Sequence, residues 1–169
     1  SNMRDTAIIA LLGGTGIRVS ELVGIDLNDI DWEHNCIRII RKGGNEDIVY
    51  FGDELHRYLE DYINYEREPG DDKEKALFVA SRKDKGRLTV RSVERIVSKY
   101  GTATIPSKHL SPHSLRRTFG TNYYEETSDL YAVADALGHK NIQVTKDHYA
   151  DISERKKQQV KEFSDKLLK

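Results

Sequence analysis

Residues 36–51 read Cys-Ile-Arg-Ile-Ile-Arg-Lys-Gly-Gly-Asn-Glu-Asp-Ile-Val-Tyr-Phe. Residues 36–41 and 47–51 are rich in β-branched and aromatic side chains, which suit a pleated, half-buried surface. Between them Lys42-Gly43-Gly44-Asn45-Glu46 supplies a glycine-bearing turn, so the stretch predicts a β-hairpin. Ala76-Leu77-Phe78-Val79 reads as a third strand. Almost everything else reads as helix. Residues 4–12 form a short helix ended by Gly13-Gly14. Thr15 caps a second that runs through Val23 and stops at Gly24. Asp53 caps a helix of about a dozen residues, and Thr89 caps one that continues to about Tyr100.

Further along, Pro106 marks a loop, and Ser111-Pro112 is a helix start with a capping hydroxyl and a proline in the first turn. Asp129 caps a helix whose Leu130, Val133, Ala134 and Leu137 follow the i, i+3, i+4, i+7 rule, with Gly138 as its stop. A short helix runs from about Asn141 to Tyr149. A last one, from about Ser153, carries a narrow apolar stripe of Val160, Phe163 and Leu167. The expected class is mainly α with a small three-stranded antiparallel β-sheet.

The chain has 169 residues, 33% charged and 37% hydrophobic. That length predicts one domain with a core of its own. Ser1-Asn2 reads as an expression-tag scar, leaving residues 3–169 as a single domain. No apolar run approaches the length of a membrane span. Cys36 is the only cysteine, which excludes a disulfide framework and a cysteine-based zinc cluster, and a reducing cytoplasm is the expected compartment.

The formal net charge of −1 hides a strong polarity. From Ala80 to Phe119 ten basic residues (Arg82, Lys83, Lys85, Arg87, Arg91, Arg95, Lys99, Lys108, Arg116 and Arg117) face only Asp84 and Glu94. From Asp53 to Lys75 nine acids face four bases. A chain polarised in this way is able to bind a polyanion on one side while its total charge stays near zero. Charge runs are also common as plain solvated faces.

Four places carry candidate chemistry. Arg18 and Glu21, three apart on a helix, share a face, as an ordinary surface ion pair also would. His113, Arg116 and Arg117 fall within an arc of about 100° on the first turns of a helix, where free N–H groups and the dipole favour an anion. His139 follows a helix stop. Tyr149, one of nine tyrosines, stands ten residues further on. Metal motifs such as H-E-x-x-H or an EF-hand loop are missing, and Gly13-Gly14-Thr15-Gly16 lacks the Lys-Ser/Thr of a phosphate-binding P-loop.

These pieces occur in a telling order: Thr15-Gly16-Ile17-Arg18-Val19-Ser20-Glu21-Leu22, then Lys42 in the hairpin, His113-Ser114-Leu115-Arg116, Leu137-Gly138-His139, and Tyr149. In that order the chain resembles the tyrosine recombinases, also called the phage integrase family, and especially mobile-element integrases and the Xer type. The resemblance covers nearly the whole chain and implies the fold of that family's catalytic domain. It implies that Arg18 and Arg116 are the catalytic arginines, with Glu21 as supporting acid. Lys42 is then the hairpin lysine, His113 the partner of Arg116 in H-x-x-R, His139 the second histidine and Tyr149 the nucleophile.

The implied reaction is transesterification at a DNA phosphodiester through a 3′-phosphotyrosyl link, with no metal and no nucleotide cofactor. Arg82, Lys83, Lys85, Arg87, Arg91, Arg95 and Arg117 become candidate DNA contacts. The implied partners are double-stranded DNA and other protomers of a synaptic tetramer, reached through the last helix; packing of that helix within its own domain is the alternative. The implied location is a prokaryotic cytoplasm, at the nucleoid. Type IB topoisomerase-like relaxation and a non-catalytic DNA-binding relic are the alternatives. Two departures stand out. The hairpin turn carries Asn45-Glu46-Asp47 where many relatives have further basic residues, and the core-binding domain that relatives carry ahead of this one is expected to be missing here.

Overall fold

A computed structural model describes residues 2–104, 110–139 and 141–168. Ser1, Pro106 and Lys108 lie outside the described residues. The chain divides into two compact units, residues 1–119 and 120–169. The expected class is observed: helices predominate around one three-stranded antiparallel sheet.

In the first unit α1 (Asn2–Thr15) runs straight through Gly13-Gly14 rather than ending there. Two helical glycines cost about 1 kcal/mol each relative to alanine. Packing outweighs that cost, since Ala7, Ile8, Leu11 and Leu12 are all fully buried. The stop is instead Gly16, whose φ of 71° is left-handed. Thr15 therefore ends α1, its Oγ1 donating to the Leu11 carbonyl at 2.6 Å, and does not cap the next helix. That cap position falls to Arg18, ahead of α2 (Val19–Val23), and Gly24 ends α2 as expected.

The hairpin forms where its residues predict it. Strands β2 (Cys36–Arg41) and β3 (Asn45–Tyr50) pair in register from Cys36 opposite Tyr50 to Arg41 opposite Asn45. The third strand is not residues 76–79 but β1 (Ile30–Asp31), which pairs with the start of β2. Residues 76–79 are buried throughout and thread the core with bends at Leu77 and Phe78, making only isolated bridges to Asp26 and Arg87. Their backbone groups find scattered partners rather than a ladder. Leu77 N–H donates to Ile25, Leu88 N–H to Phe78, and Val79 N–H to the Tyr62 hydroxyl.

Helix α3 (Asp53–Tyr65) has Gly52 at its cap position, so Asp53 is its first residue and not its cap, its charge lying in the first turn. The helix buries Leu55, Leu59 and Tyr62 on one face. Tyr62 stacks on Phe78 with ring centroids 5.5 Å apart. Helix α4 (Val90–Thr104) adds Val93 and Val97 to the same core, and the Thr89 hydroxyl caps it by accepting from Ser92 N–H at 3.1 Å. Helix α5 (Pro112–Thr127) starts where Ser111-Pro112 predicts. Ser111 and Ser114 cap it reciprocally, each side-chain oxygen accepting from the other's backbone N–H.

The second unit holds the end of α5 with α6 (Leu130–Leu137), α7 (Ile142–His148) and α8 (Ala150–Leu168). The Asp129 carboxylate caps α6 by accepting from the N–H groups of Tyr131 and Ala132, and Gly138 ends it at a φ of 72°. Asn141 caps α7. Val133, Ala134, Leu137, Tyr149 and Ile152 are buried. Helix α8 begins three residues earlier than expected, so Tyr149 is the single residue between two helices. Val160, Phe163 and Leu167 are exposed on α8. No helix among the described residues is long and apolar enough to cross a membrane.

Candidate active site

Within the first unit three distant segments meet. The first is the turn from α1 to α2. Gly16 reverses the chain, Ile17 anchors in the core, and Arg18 enters α2 with an extended backbone. The Arg18 side chain is 43% exposed. Its backbone N–H donates to Glu21 Oε1 at 2.7 Å, and its Nη1 to Oε2 at 3.5 Å. One carboxylate thus caps the helix and orients the guanidinium.

The second segment is the tip of the hairpin. Lys42 is exposed and opens a tight turn whose Gly43 and Gly44 take φ of 82° and 80°. Asn45 Nδ2 donates to the Lys42 carbonyl at 3.1 Å. Just before it, Arg41 is buried. Its Nη1 donates to both oxygens of Glu21 at 3.3 and 3.2 Å, and its Nε to Asp47 Oδ2 at 2.7 Å. Glu21, only 3% exposed in its side chain, is therefore shared between Arg18 and Arg41.

The third segment is the first turns of α5. His113 and Arg117 are exposed, whereas Arg116 is 7% exposed and its Nη1 donates to the Gly16 carbonyl at 2.6 Å. Leu115, on the other side of the helix, packs against the core. The structure brings together Arg18, Glu21, the base of the Lys42 turn and Arg116. Exposed guanidinium and ammonium groups at the rim of such a cluster suit a phosphate, because the planar fork of arginine matches paired anionic oxygens.

The second unit assembles the other candidates. His139 follows the left-handed Gly138 and its backbone N–H donates to the Ala134 carbonyl at 2.8 Å. Its Nδ1 lies 2.8 Å from Thr145 Oγ1. The Thr145 carbonyl accepts from the Tyr149 N–H at 3.1 Å, so the fully buried Thr145 links histidine and tyrosine. Tyr149 is 5% exposed. Its ring lies 6.2 Å from that of Tyr124, and its hydroxyl packs over the Cα of Gly120.

The candidate DNA contacts separate into two kinds. Arg82, Lys83, Arg91 and Arg95 are exposed. Lys85 pairs with Glu68 at 3.6 Å. Arg87 is exposed too but is bonded to its own unit, donating to the carbonyls of Val23 and Ile25 and to the Asp26 carboxylate.

Arg41 and Thr145 went unnoticed in the sequence. Arg41 carries a signal all the same. Strict alternation along β2 puts Ile37, Ile39 and residue 41 on the inner face, so an arginine there demands an acidic partner. Thr145 carries none beyond its place one helical turn before Tyr149.

A mainly helical chain with one small sheet, a buried acid shared by arginines and a tyrosine between its last two helices has the make-up of a tyrosine recombinase catalytic domain. The profile described as "Phage integrase family" matches residues 1–156, and the chain belongs to that family. It is 43% identical over 143 residues to tyrosine recombinase XerC of Corynebacterium glutamicum, covering 85% of this chain and 45% of that protein. XerC of Vibrio cholerae is 36% identical over 144 residues, with 85% and 46% covered. The chain thus spans a little under half the length of these curated relatives. Among solved structures, the XerA recombinase superposes with a TM-score of 0.79 at 28% identity, covering 88% of this chain and 53% of that one. The XerH site-specific recombinase, in its pre-cleavage complex with the difH substrate, gives 0.74 at 25% identity, with 86% and 42% covered.

Proposed function

We propose that residues 3–169 are the catalytic domain of a site-specific DNA recombinase that breaks and rejoins strands through Tyr149. The observation that carries this reading is the bond from Arg116 to the Gly16 carbonyl, which ties one guanidinium to the turn that presents the other. The likeness to XerC proteins, and to XerH bound to its DNA substrate, supports it.

The Tyr149 oxygen attacks phosphorus. The bond to the 5′-oxygen breaks, the tyrosine stays joined to the 3′-phosphate, and the 5′-oxygen leaves with a proton. Arg18 and Arg116 hold the charge that builds on the non-bridging oxygens, and preorganised charge of this kind is usually the largest catalytic term. Glu21 keeps Arg18 oriented. Ionising a phenol with an ordinary pKa near 10 at pH 7 costs roughly 4 kcal/mol, and His113 is the base that takes its proton. Lys42 gives the proton to the leaving oxygen. His139, its Nδ1 engaged by Thr145, donates through Nε2 to a non-bridging oxygen. A second strand's 5′-hydroxyl then displaces the tyrosine. The covalent link conserves the energy of the phosphodiester, so the exchange needs no nucleotide and no metal.

Arg82, Lys83, Lys85, Arg91, Arg95 and Arg117 contact backbone phosphates of double-stranded DNA, positioning the duplex without reading its sequence. Arg87 serves the same face by holding its fold. The exposed α8 stripe of Val160, Phe163 and Leu167 docks on a neighbouring protomer in a tetramer on DNA. The location that fits is the bacterial cytoplasm, at the nucleoid.

The test is Tyr149→Phe. On nicked duplexes that release the cleaved end, the parent protein forms a DNA adduct that survives denaturing electrophoresis. The variant binds DNA nearly as well and forms none. An adduct persisting in the variant removes Tyr149 from the reaction.

A further inference from the structure

We propose that Arg41 is a positioning residue for the hairpin lysine, clamping the base of the Lys42 turn to the same carboxylate that orients Arg18. This rests on the reading of Lys42 as the proton donor to the leaving 5′-oxygen.

The first ground is the strand itself. Ile37, Ile39 and Arg41 occupy successive inner positions of β2, while Arg38 and Ile40 face out. An apolar residue would fill that third inner slot at no electrostatic cost. A guanidinium there, with its side chain 8% exposed, is costly to desolvate unless carboxylates meet it with good geometry. Two do. Glu21 takes Nη1, and Asp47 takes Nε from across the hairpin. The bond to Asp47 ties both arms of the hairpin together, and the bonds to Glu21 tie the hairpin to α2.

The second ground is what lies beyond the clamp. Lys42 is the next residue, and its turn continues into Gly43 and Gly44, both left-handed. Glycines restrain the backbone weakly, so the last rigid point before the lysine is the Arg41 guanidinium. Glu21 contacts Arg18 and Arg41 together, which gives the lysine turn and the Arg18 side chain one common anchor. The acidic Asp47, two residues into β3, has a function on this account: it is the second half of the clamp.

A leaving-group experiment separates positioning of the acid from other roles. Duplexes that the parent protein traps covalently from a pool of nicked, randomised DNA supply the probe, made once with the normal bridging 5′-oxygen and once with a bridging 5′-sulfur. A thiolate leaves with its electron pair unprotonated, because thiols ionise near pH 8.5, so the sulfur substrate needs no proton donor. Lys42→Ala and Arg41→Met are compared on both. The expected result for Arg41→Met is adduct formation slowed a hundredfold or more on oxygen and restored to within a few-fold of the parent on sulfur, in parallel with Lys42→Ala.

Rescue of Lys42→Ala without rescue of Arg41→Met overturns the proposal and makes Arg41 a support of Arg18 or of the fold. Failure of sulfur to rescue Lys42→Ala overturns the lysine's role as proton donor, and the clamp's purpose with it. Should Arg41→Met not fold, Asp47→Asn takes its place. It leaves the Glu21 bonds intact, and the expected slowing is about tenfold on oxygen and absent on sulfur. Equal rates for Asp47→Asn and the parent on oxygen overturn the proposal.

Discussion

Arg116 donates through Nη1 to the carbonyl oxygen of Gly16 across 2.6 Å, although the two residues stand one hundred positions apart in the chain. The carbonyl points at the guanidinium because Gly16 holds a left-handed φ of 71°. The hydrogen bond and the turn conformation are therefore one feature. Arg18 begins two residues later.

Replacing Gly16 by alanine puts a Cβ on a left-handed backbone, which costs roughly 1–2 kcal/mol. Either the strain is retained or the turn relaxes and the carbonyl leaves Arg116. Gly16→Ala is expected to lower unfolding stability in urea by about that amount, and to reduce adduct formation more than it reduces DNA binding. Parent-like stability together with parent-like cleavage would show that the turn conformation is unimportant.

Two kinds of arginine lie in the basic stretch, and substitution tells them apart. Arg87→Ala removes the donor shared by the carbonyls of Val23 and Ile25 and the Asp26 carboxylate, and is expected to lower stability by about 1 kcal/mol. Arg91→Ala and Arg95→Ala remove exposed groups and leave stability within about 0.5 kcal/mol. Each instead lowers the slope of log affinity against log salt by about 1. A titration across salt paired with a denaturant melt reads both, and a salt slope that Arg91→Ala and Arg95→Ala leave untouched removes α4 from the DNA-binding face.

Gly120 faces the Tyr149 hydroxyl so closely that any Cβ at that position must displace it. The contacted atoms belong to side chains and not to backbone, so the Tyr149 ring is expected to give way before α5 does. In Gly120→Ala, Tyr149 is expected to react faster with a phenol-acetylating reagent, followed residue by residue with mass spectrometry. Unchanged protection of Tyr149 would mean that the tyrosine does not use this seat in solution.

Tyr62 gives the core a pH dependence. Burial pushes its phenol above the ordinary value, outweighing the Val79 N–H and the nearby Arg67 and Arg4, which pull the other way. The folded state therefore favours the neutral phenol. Its stabilising contribution is complete below the unfolded value of about 10 and is lost as pH rises through the higher folded one. Tyr62→Phe orphans the Val79 N–H, costing about 1–3 kcal/mol near neutrality, and flattens the alkaline limb of the stability curve. Equal alkaline slopes for parent and variant would assign the pH dependence to another group.

The elements that the sequence predicted well are those whose cause is local. The β-branched run over Cys36–Arg41, the Gly43-Gly44 turn, the caps at Thr89, Ser111 and Asp129, and the stop at Gly138 each depend on residues within a few positions of one another. A cap or a left-handed glycine acts on its own turn. Family membership was legible for a related reason: the order and spacing of short motifs survive without knowledge of their contacts.

Tertiary packing decided the rest. Gly13-Gly14 stay helical because α1 is buried along its length, which outweighs their weak propensity. Residues 76–79 have the composition of a strand, yet they are buried throughout with bends at Leu77 and Phe78, and the edge of β2 is taken by Ile30–Asp31 instead. The fate of each charged side chain was decided in the same way. Arg18, Arg41, Arg87 and Arg116 look alike in the sequence. One is exposed beside a buried acid, one is locked between two carboxylates, one holds the chain together through carbonyls 64 and 62 positions away, and one reaches Gly16. A guanidinium carries the same charge wherever it stands. Only the fold brings distant oxygens within reach of it, and their positions determine whether it meets solvent, DNA or the protein's own backbone.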